Sequence, residues 1–278
     1  MAITIQTLQT RYNNTMKTLL SEFKGGRLRG LAEKQTGTGN EKVRFYRSKP
    51  GTTSTTIDMY APSYTGTGGE INSIECGIAY NYWHDKLKMS DVNSTSLTIK
   101  DQLMKSGINS LAVSEDINIA NVIVAGGTSL TSKGSASTAL AGQVNAFIGA
   151  ARVAYLKGQN ALDSVTKVAI LMNETAYEEF FSDEKTINSL YTELAGIKGE
   201  APNNFHYCEI IALSNTVLPA GKCYFVPAGS FGFAAWEDSA FSDATYHAAQ
   251  DSMFLMAKSS WGAVLLDPKS IFAFAYKP

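Results

Sequence analysis

The longest regular pattern in the sequence lies in residues 91–127, which read DVNSTSLTIKDQLMKSGINSLAVSEDINIANVIVAGG. Apolar side chains recur there at helical intervals, which predicts a helix with one apolar face. They are Met104, Ile108, Leu111, Ile119, Val122 and Ile123. Residues 94–96 offer N-caps, Gly107 is a candidate kink, and the glycine pair at 126–127 ends the pattern as a C-cap does. At ~1.5 Å rise per residue this helix reaches about 45 Å, longer than an ordinary globular domain needs.

The first 41 residues precede the first strand pattern and are rich in basic side chains. Apolar residues at steps of three and four predict a helix over residues 6–23, which Gly25 and Gly26 end. Residues 1–50 carry ten basic and three acidic side chains, a formal charge of +7. Since the whole chain has a formal charge of −1, the remainder carries −8. We interpret residues 1–41 as a basic arm ahead of the fold.

The composition of this arm leaves three roles open. It binds a polyanion such as DNA without sequence preference, docks on an acidic face of a neighbouring copy, or stays solvated with no partner. Specific nucleic-acid recognition is disfavoured, because the arm has no zinc-finger, ribonucleoprotein or helix-turn-helix signature. The candidate contact residues are Arg11, Lys17, Lys24, Arg27, Arg29 and Lys34.

Two strand patterns flank a long polar stretch. Residues 42–47 alternate apolar and charged side chains, and residues 74–84 resume an extended pattern. Between them, residues 50–69 are rich in Thr, Ser and Gly, so their tip has little apolar surface to pack on its own domain. The pattern predicts a projecting hairpin. The tip includes Thr52, Thr53, Thr55, Thr56, Tyr60 and Tyr64.

The second half of the chain predicts a compact α+β lobe followed by returning strands. Helices are expected over residues 138–157, over 175–181 after the N-cap Asn173, and over 184–195. The predicted strands are 168–172, 205–213, 223–226, 232–236, 252–258, 261–266 and 271–276.

Groups able to carry catalysis or to bind a metal are scattered along the chain. The three cysteines, Cys76, Cys208 and Cys223, form no C-x-x-C pair and are predicted to be buried free thiols. The glycine-rich segments at 126–135 and 229–232 reproduce neither a phosphate-binding loop nor a hydrolase elbow. We therefore predict no catalytic residue, no metal site and no cofactor. No apolar run is long enough for a membrane span, and residues 1–11 do not read as a signal peptide.

One local cluster keeps an enzyme hypothesis open. His84 and Asp85 stand beside Trp83, which places a base, a carboxylate and an aromatic ring together in sequence. Adjacent strand residues point to opposite faces, so the imidazole and the carboxylate are not expected to meet. A catalytic site would have to converge from distant residues such as His84, Asp85 and His206.

The order of these parts resembles that of the major capsid proteins of tailed bacteriophages, the Hong Kong ninety-seven type. The local similarities are Tyr82-Trp83 leading through Asp91 into the helix that ends at Gly126-Gly127, and KVAILMN at 167–173 before Ala176-Tyr177. Two more are LPAGKCY at 218–224 and GAVLLDP at 262–268. Together they extend over nearly the whole chain.

The resemblance implies a division into five parts. These are an N-terminal arm (1–41), an E-loop hairpin (42–90), a peripheral domain with the spine helix (91–160), an axial domain (161–250), and return strands of the peripheral domain (251–278). The sequence departs from some family members in two ways. It begins directly with the arm helix, and the tip from Gly51 to Gly69 has no lysine for the cross-link that some of them form.

The implied function is a virion protein that self-assembles as pentamers and hexamers into an icosahedral shell. The implied partners are other copies of the chain, a portal, and packaged double-stranded DNA held without sequence preference, with no membrane. A separate scaffolding protein, or the prior removal of a scaffolding segment, is also implied. The resemblance further implies that the hairpin tip contacts an adjacent subunit, with the candidate residues Thr52, Thr53, Thr55, Thr56, Tyr60 and Tyr64. Assembly is expected in the host cytoplasm. An encapsulin-like nanocompartment shell protein is the alternative within the same fold, and a cytoplasmic enzyme is the alternative outside it.

Overall fold

The computed structural model describes most of the body of the chain. The described residues are 14, 26–38, 42–48, 71–88, 97–129, 150, 151, 153, 167–182, 204, 205, 208–218 and 220–276. The predicted helix at 184–195 and the polar stretch at 50–69 lie outside these ranges. For the helix predicted at 6–23 the structure describes only Asn14, which is helical. For the helix predicted at 138–157 it describes Ala150, Ala151 and Val153, which are also helical.

The predicted long helix is confirmed as α1, Leu97–Gly126. Its buried stripe includes Met104, Ile108, Leu111, Ile119 and Ile123, while Val122 is only partly buried. The helix is continuous through Gly107, the candidate kink. Glycine has a different use there, because a Cβ at this position would overlap the indole ring of Trp83.

Among the described residues, one sheet has six strands in the order β5-β12-β9-β6-β8-β7. These strands are β5 (Thr128–Ser129), β6 (Val168–Asn173), β7 (Asn204–Phe205), β8 (Cys208–Leu213), β9 (Lys222–Pro227) and β12 (Phe272–Ala275). All six residues of β6 are buried. Ala169 and Leu171 belong to the core shared with α1, whereas Ile170 and Met172 belong to the core on the opposite face.

A short helix, α2 (Glu174–Ser182), packs on that opposite face through Ala176 and Phe180. Its predicted N-cap is confirmed, because Asn173 Oδ1 accepts a hydrogen bond from the backbone N–H of Ala176 at 2.9 Å. The hydroxyl of Tyr276 donates to the same oxygen at 2.9 Å. The cap of α2 is thereby tied to the C-terminal end of the chain.

A second sheet has four strands within the described ranges, in the order β1-β10-β11-β4. They are β1 (Glu33–Gly37), β4 (Ala79–Lys88), β10 (Phe231–His247) and β11 (Ser252–Leu265). Strand β1 was not predicted from the sequence. It lies in the segment interpreted as an arm, residues 1–41, and pairs in parallel with β10. The strands expected at 252–258 and 261–266 form a single strand, β11, so the boundary expected after residue 250 lies in the turn of the β10–β11 hairpin.

The predicted hairpin strands pair as β2 (Val43–Ser48) and β3 (Ile71–Cys76), antiparallel, which confirms the base of the hairpin. The extended pattern expected over 74–84 is divided between β3 and β4. Residues 77 and 78 connect β3 to β4, which pairs with β11 and not with β2. The hairpin is therefore joined directly to the four-stranded sheet.

The main core lies where α1 meets both sheets, with Ile119 and Ile123 packed among Leu171, Tyr224 and Leu255. The prediction of buried cysteines without a disulfide is confirmed, since Cys76, Cys208 and Cys223 are all buried and none forms a disulfide. Among the described helices, none combines the length and the apolar composition of a membrane span.

Candidate functional site

Residues 26–28 of the basic arm form a clamp on α1, the long helix. The backbone N–H of Gly26 donates to Glu115 Oε1 at 3.1 Å. The N–H groups of Arg27 and Leu28 donate to the two carboxylate oxygens of Asp116, each at 3.0 Å. Three consecutive amides are thus held by two consecutive carboxylates of α1.

Local structure explains why these amides need acceptors. Residues 28–30 form a 3₁₀ turn, and the first N–H groups of a helical turn have no partner within it. Leu28, the first residue of the turn, and Leu31, the residue that follows the turn, both insert into the main core. The two acids supply the missing acceptors from the buried stripe of α1, where Glu115 is 0% exposed and Asp116 is 8% exposed.

Burial perturbs both carboxyl groups of this clamp. It raises the pKa of Glu115 to about 7, against the lowering effects of the Gly26 N–H group and the Arg29 and Lys34 charges. It also raises the pKa of Asp116, but here two N–H bonds from Leu28 and Arg27 and the charge of Arg27 oppose the shift. Glu115 is the less well satisfied acid, because Oε2 has no hydrogen-bond partner among the described residues.

The candidate basic residues divide between described and undescribed parts of the chain. Arg27 donates from its guanidinium to the Ala212 carbonyl at 3.2 Å. The Arg29 guanidinium lies 4.9 Å from the centre of the Phe233 ring, and Lys34 is exposed on β1. Arg11, Lys17 and Lys24 lie outside the described residues. Whether any of the six contacts DNA or a neighbouring copy stays a prediction.

A second attachment holds the hairpin of β2 and β3 on the outer face of the four-stranded sheet. Phe45 is 0% exposed and packs with Cys76 and Trp236. Its ring lies directly over Gly232, where any Cβ would overlap it. Burial raises the pKa of the Cys76 thiol to about 11, which keeps the sulfur protonated at neutral pH.

Charged groups surround this apolar contact. Glu75 accepts from Lys42 Nζ at 3.0 Å and from Arg44 at 2.9 Å, and these cations hold its pKa below the usual range. Arg47 pairs with Glu33 at 3.4 Å and also donates to the Gly229 carbonyl. The predicted contact residues of the hairpin tip, Thr52, Thr53, Thr55, Thr56, Tyr60 and Tyr64, lie outside the described residues.

The described strands of the hairpin, β2 and β3, cover one end of this sheet face. At the other end β4 presents a row of exposed side chains, which are Tyr80, Tyr82, His84, Lys86 and Lys88. Tyr82 is 64% exposed and Tyr80 is 50% exposed. From β11, Lys258 Nζ lies 4.7 Å from the centre of the Tyr80 ring. We call this row together with Phe254, Met256 and Lys258 the open sheet face.

Of the residues of the enzyme hypothesis, the two that the structure describes, His84 and Asp85, are not brought together. Along β4 the exposed His84 alternates with the half-buried Asp85, as expected for opposite faces of a strand. His84 lies against Tyr82, with ring centres 5.9 Å apart, and His206 is outside the described residues. In the described ranges, no group of three His, Cys, Asp or Glu side chains is placed to hold a metal ion.

Glu115 and Asp116 were not predicted from the sequence as binding groups for the arm. The signal was present in the helix pattern, because four residues after Leu111 and four before Ile119 the stripe reaches Glu115. An acid at an apolar position of a helical stripe is unusual unless something pairs with it. The pairing groups are backbone amides, which have no signature in the sequence.

No family model matches the sequence, and no curated protein matches it. Several solved structures do match. One, from Mycobacterium phage Che8, is 17% identical, with a TM-score of 0.64 over 92% of this chain and 90% of that chain. The capsid of Cyanophage P-SCSP1u is 16% identical, with a TM-score of 0.67 over 88% and 86%. A virus-like particle from Pyrococcus furiosus is 10% identical, with a TM-score of 0.61 over 96% and 99%.

Proposed function

This chain has the Hong Kong ninety-seven type fold of tailed-phage capsid proteins, and we propose that it is a major capsid protein. In this proposal it assembles as pentamers and hexamers into an icosahedral shell around double-stranded DNA. The observation that carries the proposal is a similarity of fold that extends over about nine-tenths of both chains. A fold matched over most of its length favours the same kind of role, although one fold can serve several functions.

The open sheet face supports a role in assembly. Exposed aromatic side chains in a contiguous group are typical of protein contacts, and this face carries Tyr80, Tyr82 and the half-buried Phe254. The chain's own hairpin covers the neighbouring end of the same sheet with Phe45. We propose that another copy covers the open sheet face in the shell.

The arm and the hairpin tip complete the proposed contacts. Arg27 and Arg29 contact their own chain, which leaves Lys34, exposed on β1, together with Arg11, Lys17 and Lys24 as the candidate contact residues of the arm. We propose that they meet either a neighbouring copy or packaged DNA, and that Thr52 to Tyr64 contact an adjacent subunit. A scaffolding protein and a portal are the further expected partners, in a virion assembled in the host cytoplasm.

Assembly of the purified full chain, with scaffold or crowding agent added, tests the proposal. We expect closed shells or capsomers by negative-stain electron microscopy and light scattering. The double variant Tyr82→Asp, Lys258→Glu places charge of the opposite sign on the open sheet face and is expected to reduce assembly at least tenfold. Lys222→Glu is the matched charge reversal on an exposed residue of the other sheet and is expected to assemble normally. A wild-type chain that stays monomeric under all these conditions contradicts the capsid function.

A nanocompartment that encloses protein instead of DNA is the second candidate. The similarity to the virus-like particle from Pyrococcus furiosus, which extends over 99% of that chain, supports a shell of either kind. The contents of purified particles separate the two functions. Nuclease-protected DNA supports the capsid, whereas DNA-free particles that retain a bound protein support the nanocompartment.

A further inference from the structure

The clamp at residues 26–28 joins backbone amides to two carboxyl groups that can gain or lose a proton. Its acceptors are two adjacent carboxyl groups that are almost completely removed from water. Its donors are main-chain amides, which have no charge of their own to offset a buried carboxylate. Ionisation of these acids therefore lowers the stability of the contact.

We propose that Glu115 and Asp116 form a proton-controlled latch that fixes residues 26–31 to α1 and releases them as the pH rises. The proposal is independent of the capsid function, because it rests only on contacts within one chain. Release would free the basic segment that precedes the four-stranded sheet. Protonation would hold it against the long helix.

The unequal satisfaction of the two acids identifies Glu115 as the controlling group. Asp116 accepts two N–H bonds, one on each oxygen, which partly compensate its ionised form. Glu115 accepts one, on Oε1, and no described residue donates to Oε2. An ionised Glu115 thus leaves a buried charged oxygen without a donor, and opening the latch returns that oxygen to water.

The charged groups that act on the latch come from both sides of it. Arg29 in the 3₁₀ turn and Lys34 on β1 favour the ionised form of Glu115, while the neighbouring Asp116 opposes it. Arg27 favours the ionised form of Asp116. The favourable effect of these cations is smaller than that of burial, which is the largest influence on the pKa of both acids.

The direction of the pH dependence follows from proton linkage. In the closed latch the pKa of Glu115 is about 7, whereas in an open latch an exposed glutamate titrates near 4.3. The closed state therefore binds more protons between these values and is most stable below them. Its stability falls as the pH rises through this window and levels off above about 7. From pH 5.5 to 8.5 the closed-to-open ratio is expected to fall up to roughly thirtyfold.

Hydrogen exchange of the full-length chain between pH 5.5 and 8.5 tests the latch. After correction for the intrinsic pH dependence of exchange, the protection of amides 26–28 is expected to fall at least fivefold. The amides of β6 serve as the internal control for global unfolding and should keep their protection. Unchanged protection of amides 26–28 in the wild type would overturn the proposal.

Two variants assign the effect to Glu115. Glu115→Gln keeps the acceptor for Gly26 but cannot ionise, so its protection should vary less than twofold over the same range. Arg29→Met removes a cation that favours ionisation and should move the midpoint of the wild-type transition to higher pH. The same fivefold loss in Glu115→Gln, or an unmoved midpoint in Arg29→Met, would contradict a role for Glu115.

Discussion

Two extensions of this chain are fastened to one body by different kinds of contact. Residues 26–31 are positioned by backbone hydrogen bonds to buried carboxyl groups, with Leu28 and Leu31 inserted beside them. The β2–β3 hairpin is held by the apolar packing of Phe45 against Gly232 and Trp236, with its ion pairs at the surface. Apolar packing is insensitive to pH, whereas buried acids make an attachment conditional.

The largest effect is expected from breaking the apolar attachment. Phe45→Ala removes a fully buried ring, and large-to-small changes of this kind cost about 3–5 kcal/mol of unfolding free energy. Denaturant unfolding measures the loss. Tyr46→Ala is the matched control, because the neighbouring ring is 62% exposed and its removal should cost less than ~0.5 kcal/mol.

The same variant should expose the thiol of Cys76, the last residue of β3. Cys76 packs with Phe45, so its alkylation rate in Phe45→Ala should rise at least tenfold. Cys208 and Cys223 lie in the core around α2 and should keep their wild-type rates. Equal rates at all three thiols in Phe45→Ala would mean that the Phe45 ring does not shield Cys76.

An intermediate effect is expected from a minimal change in the clamp. A Cβ at Gly26 would overlap the Asp116 carboxylate, so Gly26→Ala forces the two segments apart. The expected loss is about 1–3 kcal/mol, as for other overpacked sites, measured by thermal or denaturant unfolding. Gly30→Ala is the control, because a Cβ there meets no atom within 4 Å. Equal stabilities of the two variants would argue against close packing at Gly26.

The smallest effect is expected from the ion pairs beside the hairpin. Glu75→Gln removes the partner of Lys42 and Arg44, but all three side chains are well exposed and water screens their interaction. No change in melting temperature beyond experimental error is expected at neutral pH. Because these cations lower the pKa of Glu75, any contribution present at neutral pH is lost as the pH falls. A clear destabilisation by Glu75→Gln would mean that ion pairs, and not Phe45, hold the hairpin.

The sequence by itself determined the elements whose signal is local. The apolar spacing predicted α1, the alternating pattern predicted β2, and an asparagine before a helix pattern predicted the cap of α2. Each of these depends on residues close together in the chain, since helical faces, strand alternation and caps are short-range effects. The motif order along the chain was sufficient to predict the fold class.

Only the tertiary structure decided how distant segments meet. The polar strand β1 adds to the sheet through its backbone groups, which have no side-chain signature, and β4 leaves the hairpin to pair with β11. The sequence places Glu115 on the apolar stripe of the long helix, but no local pattern shows which groups pair with Glu115 or Asp116. The two acids become buried acceptors because segment 26–28, some 89 residues earlier, brings unsatisfied amides to them. Such partnerships arise from chain topology, which local patterns do not encode.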